Sequence, residues 1–351
     1  MSTFLNIQNT DFQEIKQRFP PTIKTIDMHT GGEPLRVVIE GAPRIKADSV
    51  LAYRQQMRAH HDDFRRKIMW EPRGHADMYG LILLPPERPD SDFGVLFLHN
   101  EGYSTMCGHA TIAIAKLAVM LGWVEKAEPI TSMKIDAPCG QLEAFVEIEK
   151  SEIRSVYFHN VPSFTAGLDQ IVQLPDGQKL RYDLAYGGAF YAYVNAKDVG
   201  IELIPENYRR LIDKGMEIKR AVVQQQSIAH PFEADLSFLY GTIFIDESQN
   251  PSYHSRNVCI FADGEVDRSA TGSGVSGRAA IHFARKELNL GQSIEIESIT
   301  GSTMVVSVRK SIEFGGYPAV IPSVSGDAWV HGFSEFTFDQ NDLFVDGFFL
   351  R

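Results

Sequence analysis

The chain repeats itself weakly, and this repetition restricts its fold more than any other feature does. Thr30 opens T-G-G-E-P-L-R-V-V, a turn followed by a strand-like run, and Tyr186 opens Y-G-G-A-F-Y-A-Y-V with the same grammar. C-G-H-A-T at Cys107 leads into an apolar helix pattern, and T-G-S-G-V at Thr271 does so again. Each pattern is followed by a glycine and a strand-like run, Gly140 before Gln141 to Val146 and Gly301 before Ser302 to Val308. The spacings are 156 residues from Gly32 to Gly188, 164 from Cys107 to Thr271 and 161 from Gly140 to Gly301. Gly-Gly turns are common singly. Three echoes in one order at nearly one offset predict two pseudo-symmetric lobes of about 150 to 160 residues.

Strands dominate both lobes. Val95–Leu98, Ser155–Phe158, Ala189–Val194, Thr242–Ile245 and Asn257–Phe261 are short, rich in β-formers and bounded by turn residues. The run from Ala110 to Leu121 is apolar almost all round, which predicts a buried helix wrapped by the strands of its own lobe. A second helix is predicted from Val275 to Leu288, weakened by Gly277. The fold class is therefore α/β (α+β), each lobe a curved sheet around a central helix. The predicted division is an N-terminal extension over 1–24, a first lobe over 25–180 holding Cys107, and a second over 181–335 holding Thr271. The segment 336–351 is expected to return to the first lobe.

The two helix starts carry the chemistry. Cys107 stands immediately before the first helix, where the dipole favours a thiolate. The amides of Gly108 and His109 have no carbonyl one turn back, so they are free to hold a carboxylate, and Gly108 lets a ligand approach the backbone. A free cysteine is more often a small buried residue than a nucleophile or base. The duplication changes that balance: Gly272, Ser273 and Gly274 form a second glycine-rich start at the matching point. If the lobes face each other, two amide clusters converge on one ligand, with Cys107 on one side and Thr271 on the other. Asp267, four residues before Thr271, adds a carboxylate suited to a ligand of both charges, such as an amino acid; alone it would read as a turn or cap residue.

Several classes are disfavoured. The chain has 34 Lys and Arg against 45 Asp and Glu, without the basic stripe that nucleic acid requires. Three cysteines, Cys107, Cys139 and Cys259, make poor material for a disulfide framework and fit a reducing compartment. No cysteine or histidine pair has metal-ligand spacing, and His60-His61 reads as a solvated helix face. The start MSTFLNIQNT lacks the features of a signal peptide, and no run is long and apolar enough for a bilayer, so the expectation is a cytoplasmic protein without membrane or nucleic-acid partners. The G-S-G-V-S-G run at Gly272 lacks the ending of a P-loop and the βαβ setting of a dinucleotide fingerprint, so no cofactor is expected. A homodimer is allowed but not required.

Five stretches together resemble the proline racemase family: IDMHTGGEPLRVV from Ile26, EPRGHADMYG from Glu71, GYSTMCGHATIA from Gly102, YGGAFYAYV from Tyr186 and FADGEVDRSATGSGVSGR from Phe261. The resemblance implies a diaminopimelate-epimerase-like fold with the active site between the lobes. In the racemases and epimerases of the family one cysteine from each lobe flanks Cα; the first maps onto Cys107 and the second onto Thr271. Carboxylate-binding amides carry over to Gly108, His109, Gly272 and Ser273, and the ring-nitrogen partner to Asp267 with help from His109. Aromatic pocket positions fall on Tyr79 and Phe261, for which ordinary core packing is an equal explanation. The proline usual after the Asp-Arg-Ser triplet is Ala270 here.

Thr271 points to the reaction. A racemase needs two groups that each serve as acid and base, and a threonine hydroxyl is too weak for either task near neutral pH. Threonine at this position resembles the dehydratase branch of the family. Stereochemistry agrees: in trans-3-hydroxy-L-proline the Cα hydrogen and the 3-hydroxyl both lie across the ring from the carboxylate, so they share a face. One residue there could take the proton and return it to the departing hydroxide. The expected activity is cofactor-independent dehydration of trans-3-hydroxy-L-proline by Cys107, with Thr271 holding a hydrogen bond or filling space. The alternatives are an isomerase, either proline racemase or hydroxyproline 2-epimerase, and, more distantly, a non-catalytic binder of cyclic amino acids.

Overall fold

The echoed glycines sit at the turns of matching hairpins. The computed structural model describes residues 11–350; the N-terminal residues on which the leader-peptide expectation rests lie outside them. Gly31 and Gly32 join strands Ile23–Thr30 and Glu33–Glu40, and Gly188 joins Lys179–Tyr186 to Phe190–Asn195. Gly32 and Gly188 have φ of 89° and 98°, a region that favours glycine. The other pair of echoes behaves alike. Gly140 follows Ile130–Ala137 at the start of Gly140–Glu149, and Gly301 lies between Ser293–Glu297 and Thr303–Phe314.

The pairing pattern repeats strand for strand. From Ile23–Thr30 the first lobe runs through Glu33–Glu40, Tyr79–Leu84, Phe93–His99, Ile130–Ala137 and Gly140–Glu149, with neighbours antiparallel, parallel, antiparallel, parallel and antiparallel. From Lys179–Tyr186 the second runs through Phe190–Asn195, Leu239–Asp246, Ser255–Phe261, Ser293–Glu297 and Thr303–Phe314 with the same alternation. Strand Tyr317–Gly326 serves both lobes. It pairs with Thr303–Phe314 and with Ser163–Gln173, which closes the second ring, and its last residues pair with Glu152–His159 of the first. The chain then continues as Ala328–Phe336, which pairs along Ile23–Thr30 and closes the first ring.

Each ring surrounds one helix. Gly108–Met120 packs on Ile23–Thr30, Gly140–Glu149, Glu152–His159 and Ala328–Phe336; Gly272–Ala284 packs on Ser163–Gln173, Lys179–Tyr186, Thr303–Phe314 and Tyr317–Gly326. Ala110, Ile112, Ala113, Ile114 and Ala115 are fully buried, as an all-round apolar helix requires. Each buried isoleucine contributes about 1.5–3 kcal/mol relative to exposure. These contacts move the lobe boundaries. Residues 163–180, assigned above to the first lobe, lie in strands that pack on the second helix, and 328–335, assigned to the second, pair in the first ring. We therefore draw the boundaries near 160 and 327 rather than 180 and 335. The C-terminal segment runs beside the first lobe: the Phe348 amide donates to the Glu71 carbonyl, and Trp70 stacks on Phe349.

The second helix begins three residues earlier than its periodicity suggests and ends at Ala284 rather than Leu288. Packing overrides the weak helix propensity of glycine here. A Cβ on Gly277 would lie 2.0 Å from the Tyr193 hydroxyl, and one on Gly274 would lie 2.5 Å from Ile243, so bare backbone is what fits. Among the described residues no helix is long and apolar enough to cross a membrane.

Candidate active site

The two central helices meet start to start. A Cβ built on Gly108 would fall 2.5 Å from the Gly272 Cα, and the reverse holds equally. Glycine at these positions therefore does more than admit a ligand: it lets the two lobes touch through backbone. The echoed turns cross the same boundary. Gly188 of the second lobe lies against Met106, and the Thr105 hydroxyl donates to its carbonyl at 2.8 Å. Gly31 of the first lobe lies against Ser302, and its carbonyl accepts from Thr300 at 3.0 Å.

Around the helix contact lies a very small cavity of about 20 Å³, lined by Cys107, Gly108, His109, Asp267, Thr271, Gly272, Ser273, Tyr79 and Phe261 together with Met106, Tyr191 and Tyr240. All nine positions singled out from the sequence thus surround one space. At that volume it has room for about one water molecule as the lobes stand. The first amides of both helices, which lack intrahelical acceptors, start at this space.

Cys107 caps the first helix, its sulfur accepting from the Ala110 amide at 3.4 Å. Its backbone is extended (φ −144°, ψ 111°). Burial pushes the thiol well above its usual range, against the pull of the Ala110 amide and the Tyr79 hydroxyl; Asp267 pushes it further, as Glu33 would if ionised. The helix start thus does not by itself yield a thiolate: burial outweighs the amide, and the resting group is a thiol. The His109 ring lies against it, Nδ1 at 3.1 Å from the sulfur. Burial lowers His109 to about 3, with partial opposition from the Pro34 carbonyl, so the ring is a neutral neighbour of the thiol. Its place beside the sulfur is more specific than the ring-nitrogen contact the sequence suggested.

Thr271 differs at every point. It has φ 67° and ψ 94°, its side chain does not cap the helix, and its buried hydroxyl makes no hydrogen bond of normal geometry among the described residues. A β-branched residue in the left-handed region is a true outlier and marks strain of about 1–3 kcal/mol. Asp267, four residues earlier, is buried, and its carboxylate accepts from the Ser269 amide at 2.8 Å. Burial raises it to about 6, while Ser269, Thr271 and Arg268 hold it lower than burial alone would.

Three lining residues were not singled out from the sequence. Tyr191 lies in the Tyr186 motif, and its hydroxyl is 2.7 Å from the Ser273 Oγ; the alternation of that strand was the available signal. Met106 could have been found as the neighbour of Cys107. Tyr240 belongs to no motif. It forms the wall between this cavity and a wider outer cleft lined by Arg54, Arg58 and Lys219, and its buried hydroxyl has no partner of normal geometry among the described residues.

Comparison with known proteins agrees with this architecture. The chain is 48% identical over 338 residues to a trans-3-hydroxy-L-proline dehydratase of Colwellia psychrerythraea, covering 96% of this chain and 95% of that one. It is 43% identical over 330 residues to a 3-hydroxyproline 2-epimerase of Burkholderia multivorans, covering 94% and 98%. A crystal structure of a hydroxyproline epimerase from Agrobacterium vitis with bound trans-4-hydroxy-L-proline superposes with a TM-score of 0.87 at 29% identity, covering 93% and 95%. The model of the proline racemase family matches residues 25–349, and the chain belongs to that family.

Proposed function

We propose that this chain is a cofactor-independent trans-3-hydroxy-L-proline dehydratase, and the observation that carries the reading is the asymmetry of the two helix starts. One face of the cavity has a thiol; the other has a hydroxyl, a far weaker acid, whose neighbouring carboxylate Asp267 is taken up by the ring ammonium. The substrate carboxylate sits on the amides of Gly108, His109, Gly272 and Ser273, and the ring ammonium faces Asp267. That ammonium offsets the negative field with which Asp267 opposes ionisation of Cys107, so substrate binding itself favours loss of the thiol proton to solvent, and the Ala110 amide then holds the thiolate.

The thiolate takes the Cα hydrogen as a proton. The electron pair of that C–H bond becomes the C2–C3 double bond, and the C3–O bond breaks. The new thiol returns the proton to the departing hydroxide on the same face, giving water and restoring the thiolate. The product is Δ2-pyrroline-2-carboxylate, which tautomerises to the Δ1 imine. Negative charge at the substrate carboxylate rises in the transition state, where fixed amide dipoles are most effective.

The epimerase reading draws on the Burkholderia multivorans relative. Incubation with trans-3-hydroxy-L-proline and an imine-trapping reagent separates the two. Trapped imine with loss of one water per substrate is expected; accumulation of cis-3-hydroxy-D-proline without imine would overturn the dehydratase reading.

A further inference from the structure

Glu33 opens the second strand of the first lobe, directly after the echoed Gly31-Gly32 turn, and is fully buried. One oxygen, Oε2, accepts from the Arg268 amide at 2.7 Å across the lobe boundary. The other, Oε1, is buried without a partner among the described residues. The guanidinium of Arg268 is engaged elsewhere: it pairs with Asp77 at 2.7 Å and donates to the Val266 carbonyl at 2.8 Å. The charged or titratable groups facing Glu33 are Asp267, Asp77, Arg268, Cys107 and Cys259. Two of these are carboxyls, two are thiols that its charge would oppose, and the one cation is already paired.

A fully buried carboxylate with a single neutral donor, next to another carboxylate, is a poor place for a second negative charge. Two carboxyls in one field divide their roles, one ionised and one holding its proton. Asp267 is the one that lines the cavity and Glu33 does not. We propose that Glu33 is a positioning residue that keeps its proton: from the first lobe it pins the Arg268 amide, and so the Asp267 loop of the second, and leaves Asp267 as the anion presented to the ligand's ring nitrogen. The part that concerns Asp267 rests on the proposed substrate orientation. The direction of the Glu33 shift agrees, since burial and Asp267 both push its carboxyl well above the usual range.

The test compares wild-type protein with Glu33→Gln, Glu33→Ala and Asp267→Asn. Infrared spectra at neutral pH should show a protonated-carboxyl stretch in the wild type and in Asp267→Asn that is missing from Glu33→Gln. This readout needs no substrate, so it stands or falls apart from the dehydratase reading. For trans-3-hydroxy-L-proline, Glu33→Gln should keep kcat and KM within about threefold and leave the acid limb of the pH profile in place, because the amide can still accept from Arg268 and donate from its other atom. Glu33→Ala should raise KM about tenfold or more with kcat less affected, as the Asp267 loop loses its anchor. Should Glu33→Ala fail to fold, the glutamine variant still decides. An infrared spectrum unchanged in Glu33→Gln, or a loss of affinity in that variant as large as in Asp267→Asn, would overturn the proposal by making Glu33 an anion.

Discussion

The helices Gly108–Met120 and Gly272–Ala284 have the same length, thirteen residues, occupy the same place in their rings, and touch at the same glycine. The residue before each is where the equivalence ends. Cys107 is relaxed, extended and bonded to its own helix, whereas Thr271 has a left-handed backbone and a hydroxyl that makes no hydrogen bond of normal geometry among the described residues. The duplicated scaffold thus offers two matching seats for an acid–base group, and only one is filled by a thiol, which a bound cation can help to ionise. Strain on the hydroxyl side shows that the backbone at 271 is set by its surroundings, the Ser269 hydroxyl accepting from its amide, rather than by the preference of threonine. The asymmetry is therefore one of side chain and of local backbone at the residue before each helix, on two otherwise matching frames.

The largest break in that comparison is expected from Cys107→Ser. Serine keeps the size and the helix cap but not the acidity, so turnover should fall by about a thousandfold or more. Binding of pyrrole-2-carboxylate, an anion planar at Cα, should persist. A variant retaining near-normal dehydration, measured by imine trapping, would mean that the first helix start is not the seat of the base.

Asp267→Asn should show two effects of opposite sign. Affinity for the zwitterionic substrate should drop by about ten- to a hundredfold as the ammonium loses its countercharge. The empty protein should become more stable near pH 7. Asp267 is raised from 3.8 to about 6 in the folded state, so its ionisation destabilises the fold above that range and the penalty disappears as pH falls to about 4. The shift corresponds to roughly 1–3 kcal/mol at neutral pH. Thermal melts of both proteins at pH 7 and pH 4 read it directly. A lower melting temperature for the variant at pH 7 would show that the buried carboxylate is stabilised by something other than the ligand. By the same linkage, substrate affinity of the unaltered enzyme should weaken as pH falls through about 6.

The parts of this site legible in the sequence are those where chemistry needs a rare residue type at a rare backbone position. Cys107 before an apolar run and the paired glycines at 31–32 and 187–188 are of that kind, and so is the second glycine-rich start. Two other features depended on contacts between distant residues. The thiol's ionisation follows from burial beneath both lobes, which the position of a helix start does not report. Tyr240 and Glu33 meet the site through the opposite lobe, and no local spacing marks them. The lobe boundaries proposed from strand pairing differ from the sequence division for a related reason: which ring the strands at 163–173 and 328–336 join is decided by pairing between remote strands.

The finest test of the comparison is Thr271→Cys, with a small expected effect. As it stands, the enzyme should not exchange the configuration of L-proline, because only one face of Cα meets a competent acid. Cysteine lacks the β-branch, so it should fit φ 67° with less strain than threonine, and the Gly272 start provides free amides to favour its thiolate. Burial would oppose that ionisation as it does at Cys107. The replaced residue also points from a left-handed backbone, so its sulfur need not reach the mirror image of the Cys107 position. Misplacement by about an ångström costs an acid–base group as much as a hundredfold. The expected result is therefore slow racemisation of proline or epimerisation of 4-hydroxyproline, with dehydration reduced but persisting because Cys107 still faces the shared hydrogen and hydroxyl. Chiral chromatography after long incubation measures it, under reducing conditions because Cys259 senses the side chain at 271. Efficient racemisation of L-proline by the unaltered protein would be the damaging outcome, since a hydroxyl at 271 would then be no barrier to chemistry on both faces and the difference between the two helix starts would not set the reaction.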